Sequence, residues 1–204
     1  MTSTDGLVGY WKLDGDAMDF SGEEVNGTLA GGVDCTVGGY IRGGCKFDGV
    51  DDYVDIGTPA SLNFNNSNNF TVMFWARLSS TQGTFYDPFS FGHNASHGFV
   101  FQGNGPTMTV FTGNGTLFST DFDIDLRDNT WHHLVARKDD TGVTLYRNGI
   151  QVAKNTNFKT NVIFLPAWGL SIGRDIGTGR YANGTIDEVK IYNRSLTSEE
   201  IQLH

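Results

Sequence analysis

The chain has 204 residues, of which 38% are hydrophobic and 13% aromatic, enough apolar material for one core of this size. Its 14 Lys and Arg stand against 23 Asp and Glu, a net charge of −9 with no basic stripe, so a nucleic-acid backbone would be repelled. With 27 Gly, 4 Pro and only 18% charged residues, the composition favours strands joined by tight turns over helices. An acidic surface attracts divalent cations or serves solubility, and solubility is the simpler account. No stretch approaches the length of a membrane span, and residues 1–30 lack the apolar run of a signal peptide.

In chain order, LVGYW (7–11) reads as an opening strand. The loop DFSGEEVNG (19–27) follows, rich in oxygen-bearing side chains and in glycines that free the backbone to turn. Cys35 and Cys45 flank the turn-rich segment TVGGYIRGG; they form either a hairpin disulfide or two buried reduced thiols, and the pairing favours the disulfide. KFDGVDDYVDI (46–56) is a second strand region, and FTVMFWARL (70–78) is an unbroken β-rich run long enough to lie buried on both faces. Trp11 and Trp75 are expected in the core. FVFQG and MTVFTG are short paired strands, and TWHHLVARK (130–138) leads into VTLYRNGIQVAK (143–154), where Asn148-Gly149 is a strong two-residue hairpin signal. GLSIG (169–173) and TIDEVKIY (185–192) complete the strands. Thr197 followed by Glu200 is a capping box that predicts one helical turn over 198–203. Asn-X-Ser/Thr triplets begin at Asn26, Asn65, Asn69, Asn94, Asn114, Asn183 and Asn193. Some of them are turn chemistry, and the excess hints at a glycosylated cell-surface protein.

Five segments in order carry a resemblance: GLVGYWKLDGDAMDFSGEEVNGTL (6–29), KFDGVDDYVDI, FTVMFWAR, WHHLVARKDDTGVTLYRNGIQV (131–152) and GTIDEVKIYNRSLTSEEI (184–201). Together they resemble the laminin-G-like module of the concanavalin A-like lectin/glucanase superfamily over nearly the entire chain. The resemblance implies an all-β, two-sheet antiparallel jelly-roll sandwich with one short C-terminal helical turn, as a single domain over 1–204. Without a visible signal peptide the chain is either a cytoplasmic protein or a domain cut from a larger extracellular or cell-surface protein, and the second is expected, with other domains of the parent chain as neighbours. Trp131 and one of the two adjacent histidines would then be structural; His132 and His133 point to opposite faces of a strand and cannot chelate one ion together.

That superfamily holds both binders and enzymes, so site residues must decide. The glucanase-type acid pair requires Glu-x-Asp-x-x-Glu or Glu-x-Asp-x-Glu on one strand, and no glutamate here falls in that pattern. DFDID (121–125) does place aspartates on one face, but between loops, where solvating a strand edge is the simpler role. No catalytic residue is assigned. The resemblance also implies a structural Ca²⁺ with ligands at Asp19, Ser21, Gly22, Asn26, Gly27 and Asp187, Asp14, Asp16 and Asp48 being rivals. The alternative is an Asx-turn at Asp19 and an ordinary Asp187. Sugars are held by stacked aromatic rings and planar polar groups, which makes Tyr86, Asp87, His93, His97, Trp168, Arg174, Arg180 and Tyr181 the candidate ligand contacts, in loops that converge at one edge. The expected function is non-catalytic binding of a glycan or cell-surface glycoprotein, in adhesion or recognition. A purely architectural β-domain and a diverged polysaccharide-active enzyme are the alternatives.

Overall fold

The computed structural model of the chain describes residues 4–62, 69–93, 97–114, 117–122, 125–158, 162 and 169–204. Its strands in chain order are β1 (Leu7–Trp11), β2 (Thr28–Ala30), β3 (Asp34–Gly38), β4 (Gly43–Asp48), β5 (Tyr53–Gly57), β6 (Phe70–Leu78), β7 (Phe85–His93), β8 (His97–Asn104) and β9 (Thr107–Asn114). They continue with β10 (Leu117–Asp121), β11 (His132–Asp139), β12 (Gly142–Arg147), β13 (Ile150–Asn155), β14 (Leu170–Ile172), β15 (Arg174–Asp175), β16 (Arg180–Tyr181) and β17 (Asn183–Tyr192). One helix, α1 (Ser198–Gln202), follows.

The strands form two antiparallel sheets, the sandwich that the sequence predicts. The first has eight strands in the order β13-β12-β11-β6-β17-β4-β3, with β1 also paired to β17. The second has seven, β10-β9-β8-β7-β14-β5-β2, and β15 and β16 make a separate two-stranded ribbon. The opening strand lies beside the closing one: Tyr10 pairs with Lys190 and Trp11 with Val189. Between the sheets, alternate residues interdigitate. Phe70, Val72, Phe74, Ala76 and Leu78 of β6 face Phe89, Phe99 and Phe101 of the second sheet. Trp11 is fully buried and donates its indole N–H to the Val25 carbonyl at 2.9 Å, so its polar edge is satisfied within the core.

Local chemistry sets the turns. Asn148 and Gly149 both adopt positive φ (51° and 76°), the geometry of a two-residue hairpin, and Arg147 pairs with Ile150 across it. At α1 both halves of the capping box form: the Thr197 side chain accepts from Glu200 N, and the Glu200 carboxylate accepts from Thr197 N at 2.8 Å. Arg194 grips the same carboxylate with two hydrogen bonds of 2.8 and 2.6 Å, and this holds the Glu200 pKa down to about 2. The helix packs on the outer face of the first sheet, where Ile201 joins Met73, Val135, Tyr146, Tyr192 and Leu196 in a second, smaller apolar cluster. No helix among the described residues is long and apolar enough to cross a membrane.

Trp75 departs from expectation. On β6 the residues Thr71, Met73, Trp75 and Arg77 face away from the sandwich, so Trp75 lies on the outer surface and is only half buried. Trp131 is likewise half buried, whereas His132 and His133 are both buried, on opposite faces.

Cys35 and Cys45 form the disulfide, linking β3 to β4 across a separation of 10 residues. Replacing both by Ala is expected to lower stability by about 2.5–3 kcal/mol in the chain-entropy account, measured by guanidinium unfolding under non-reducing conditions.

Candidate functional site

The loop expected to bind calcium is organised around Asp19. Its Oδ1 accepts from the Tyr10 and Ser21 amides at 2.9 Å each, and its Oδ2 from the Ser21 hydroxyl at 2.7 Å and the Val25 amide at 3.1 Å. The Asn26 side-chain oxygen accepts from Asp19 N at 2.9 Å. Gly22 and Gly27 lie in the same loop, and Gly27 donates its N–H to the Ala17 carbonyl. Asp187 is placed elsewhere: Trp11 bridges to Asp19 on one side and pairs with Val189 of β17 on the other, so β1 stands between the two carboxylates. Asp187 is fully buried and accepts N–H groups from Ile41 at 2.9 Å and Glu188 at 2.8 Å. Burial, opposed by the Ile41 amide, raises its pKa to about 6. Asp19 and Asp187 thus lie on either side of β1, and both oxygens of the Asp19 carboxylate are each engaged by two N–H or O–H donors. A separate acidic turn brings Asp48, Asp51 and Asp52 within 4.8 Å of one another.

Five of the predicted ligand contacts do converge. The β15–β16 ribbon lies across β7, held by Gly173 N to the Pro88 carbonyl (2.9 Å) and by the Ser90 hydroxyl to the Arg174 carbonyl (2.8 Å). This gathers Tyr86 and Asp87 of β7 with Arg174, Arg180 and Tyr181. Two of them are covered and not displayed: Tyr86 and Asp87 are both 0% exposed, whereas Arg174, Arg180 and Tyr181 are half buried. Arg174 stacks on Tyr53 at 3.3 Å and Arg180 on Phe85 at 4.9 Å. Neither Asp87 oxygen has a hydrogen-bond partner, nor do Tyr86 OH, Arg174 Nε or Arg180 Nη1. Burial, with the Asp175 carboxylate adding to it and Arg180 opposing, pushes the Asp87 pKa up to about 8. His93 and His97 pair with each other at the other end of β7 and β8, about 20 Å along the strand from Asp87. Their side chains, like Trp168, lie outside what is described.

A solvent-facing site is found instead on the outer face of the first sheet. There Tyr40 stacks on Trp75 with ring centroids 3.4 Å apart and planes within 9°, and Trp75 stacks in turn on His133 at 5.0 Å. Trp131 meets Tyr40 edge-on at 6.0 Å. Trp75 covers one face of Tyr40, yet the ring is 47% exposed, so its other face is offered to solvent. Asp187 makes this possible. By accepting the Ile41 N–H it pins the 39–43 turn against β17, and a side chain at Gly39 would strike the Gly43 carbonyl and come within 2.6 Å of Asp187 Oδ2. Beside the stack is a recess of about 260 Å³ walled by His133, Asn148, Gln202 and His204. Asn148 is fixed there by two bonds to the His133 backbone, its side-chain oxygen accepting and its N–H donating, each at 2.9 Å. Burial, then the nearby His204 and Lys190, lowers the His133 pKa to about 3. Burial and Lys190 likewise lower that of His204 to about 4, so both imidazoles are neutral at ordinary pH.

This site was missed because Trp75 reads as core. One signal was available: Thr71 and Arg77 share its face, and a charged residue two positions away marks that end of the face as wet. Tyr40 and Ile41, two exposed bulky residues in a glycine-rich turn, are the second signal.

A family model described as the concanavalin A-like lectin/glucanases superfamily matches residues 48–202. The chain belongs to this superfamily. No curated protein matches the sequence. Among solved structures, the chain is similar to domain 4 of AbnA, an extracellular GH43 arabinanase from Geobacillus stearothermophilus, in complex with arabinotriose: TM-score 0.81, 20% identity, 96% of each chain covered. It is also similar to the binding domain of Paraclostridial Mosquitocidal Protein 1, with TM-score 0.80, 20% identity and coverage of 98% of this chain and 52% of that one. A structure of botulinum neurotoxin type C, whose cell entry depends on two ganglioside molecules, matches with TM-score 0.74 and 17% identity over 98% of this chain and 50% of that one. The chain thus spans about half the length of the toxin chains. At these identities the likeness is one of fold. Receptor-binding domains of botulinum neurotoxins are also among the structures similar to this chain.

Asp87 gives a prediction with a definite sign. Unfolded, its carboxyl titrates near about 3.9; folded, near about 8. Between these values the folded state keeps a proton that the unfolded state has released, so this group makes stability fall as pH rises. Asp87→Asn is expected to stabilise the protein at pH 8 by on the order of 1–3 kcal/mol and to flatten the stability profile from pH 4 to 8, as read by denaturant melts across that range.

Proposed function

We propose that this chain is a non-catalytic glycan-binding module of an extracellular or cell-surface protein, and that its glycan lies on the Tyr40–Trp75 stack. The observation that carries the reading is the free face of Tyr40, a ring held by a parallel, stacked tryptophan beside a recess of neutral polar groups. Sugar rings present apolar C–H faces to such a platform and hydroxyls to its flanks. Neutral imidazoles and the side-chain amides of Asn148 and Gln202 both donate and accept hydrogen bonds, which suits hydroxyls. The recess is sized for about one sugar ring, so the terminal or branching residue of a chain is its natural occupant. The arabinotriose complex of the AbnA domain and the ganglioside dependence of the neurotoxin are in keeping with a saccharide partner. The disulfide and the extracellular arabinanase favour an oxidising compartment. Attachment to a cell-surface glycoprotein, and so adhesion, follows as the physiological use.

The carboxylates support a binding role over a catalytic one. Glycoside hydrolysis needs two carboxyl groups facing each other across the scissile bond. Asp121 accepts from the Thr109 hydroxyl at 2.6 Å, Asp125 is held by Arg127 at 2.9 and 3.0 Å, and residues 123–124 lie outside what is described. The Asp48, Asp51 and Asp52 group sits on a turn with two of its three members exposed.

Glycan microarray screening followed by calorimetry tests the reading. Tyr40→Ala is expected to weaken binding about tenfold or more with little change in melting temperature, since the side chain is half exposed. Failure of the folded protein to bind any glycan would leave the architectural reading in its place. Release of reducing ends from any bound polysaccharide would overturn the non-catalytic one. Calcium is read separately. With the Asp19 and Asp187 oxygens engaged by N–H and O–H donors, chelator is expected to leave the melting temperature within about 1 °C, whereas a rise of several degrees on adding Ca²⁺ would mean that the loop rearranges around an ion.

A further inference from the structure

The aromatic stack has a second flank of different character. Arg77 lies two residues beyond Trp75 on the same strand and face, with its guanidinium carbon 5.2 Å from the Trp131 ring centre. Next to it, across β17, is Lys46: Thr185 pairs with Arg77 on one side and with Lys46 on the other. Arg77, Lys46, Ser79, Asn129, Asn183 and Thr185 line a recess of about 600 Å³ that has no carboxylate in its wall. Both cations are exposed, and among the described residues neither has an ion-pair partner. Arg77 reaches only the Thr185 hydroxyl, at 3.5 Å. Asp34 is the cross-strand neighbour of Lys46, but its Oδ1 is taken by the Thr36 amide and hydroxyl at 2.9 and 2.6 Å.

Lys46 and Arg77 stand together in a wall without a carboxylate, on a chain of net charge −9 where acidic side chains outnumber basic ones. Lys190, Arg194 and Arg137, by contrast, are engaged: Lys190 with Glu188 at 2.8 Å, Arg194 with Glu200 at 2.6 Å and Arg137 with Asp139 at 3.5 Å. A planar guanidinium offers a forked pair of N–H donors that fits a carboxylate. We propose that this recess takes the carboxylate of an acidic saccharide whose neighbouring ring stacks on Tyr40. The inference rests on the glycan-binding reading of the same face and narrows it to glycans carrying uronic or sialic acid residues. The molecule's overall negative charge then acts as a filter. An acidic glycan is repelled from the surface at large and attracted where Lys46 and Arg77 stand together in a recess without a carboxylate in its wall.

The test is an array holding carboxylated glycans and their carboxyl-reduced counterparts, with calorimetry on the best pair at 50 and 500 mM NaCl. Wild-type protein is expected to bind the carboxylated member about tenfold or more tightly, with the preference shrinking at high salt. Arg77→Gln with Lys46→Gln is expected to bring the carboxylated glycan down to the affinity of its reduced counterpart, leaving the latter unchanged. Tyr40→Ala should weaken both. Equal wild-type affinity for the two members overturns the acidic preference while sparing the glycan reading. Binding of no glycan by the folded protein overturns both. Retention of the preference in the double variant overturns the assignment of the carboxylate to this recess.

Discussion

The first sheet is organised around β17, which has three neighbours. One edge pairs with β6 from Gly184 to Tyr192; the other pairs with β4 over Asn183–Ile186 and then with β1 up to Tyr192. The changeover falls at a bulge where Glu188 adopts φ 53° and the register to β6 shifts between Asp187 and Lys190. An extra residue in a central strand leaves amide groups that the ladder does not satisfy. The protein resolves this with carboxylates: Asp187 accepts the Glu188 amide, and Glu188 turns outward to receive the Tyr10 hydroxyl and Lys190, each at 2.8 Å. The other oxygen of Asp187 reaches the 39–43 turn. A feature needed to join the first strand to the last therefore also sets Tyr40 on Trp75.

The outer face of that sheet is divided by α1. Where Ile201 and Leu196 pack on Met73, Val135 and Tyr146, the face is sealed and apolar. The helix is only five residues long, so it stops short of Trp75 and His133. What remains open runs from neutral imidazoles and amides at one end, over stacked rings, to two cations at the other. Arg194 is the fastener, joining the Asp5 carbonyl, at 2.8 Å, to Glu200. Loss of this clamp would free both the chain's start and its helix, and so unseal the recess.

The second sheet has a polar interior of another kind. Asp87 lies under the β15–β16 ribbon with charges near it and no hydrogen bonds to it. Burying an ionised carboxylate unpaired is costly, and a raised pKa is the way such a group avoids the cost. The ribbon therefore sits on a group that is neutral over much of the physiological range, and it is held to β7 by the Gly173–Pro88 and Ser90–Arg174 hydrogen bonds.

Much of this molecule was legible in its residues. The Asn148-Gly149 hairpin, the Thr197–Glu200 capping box and the Cys35–Cys45 link all depend on chemistry between near neighbours. The unbroken apolar run 70–78 announced a long strand buried on both faces. It did not show what covers each face, and so Trp75 was taken for core. Asp187 was read for its carboxylate, but its partner is an amide 146 residues away, and Tyr86 and Asp87 were read as displayed when a ribbon some ninety residues later in the chain lies over them. Periodicity is a property of a strand's own backbone. Solvent exposure and hydrogen-bond partners belong to whatever the fold lays against it, and only the assembled sheets decide that.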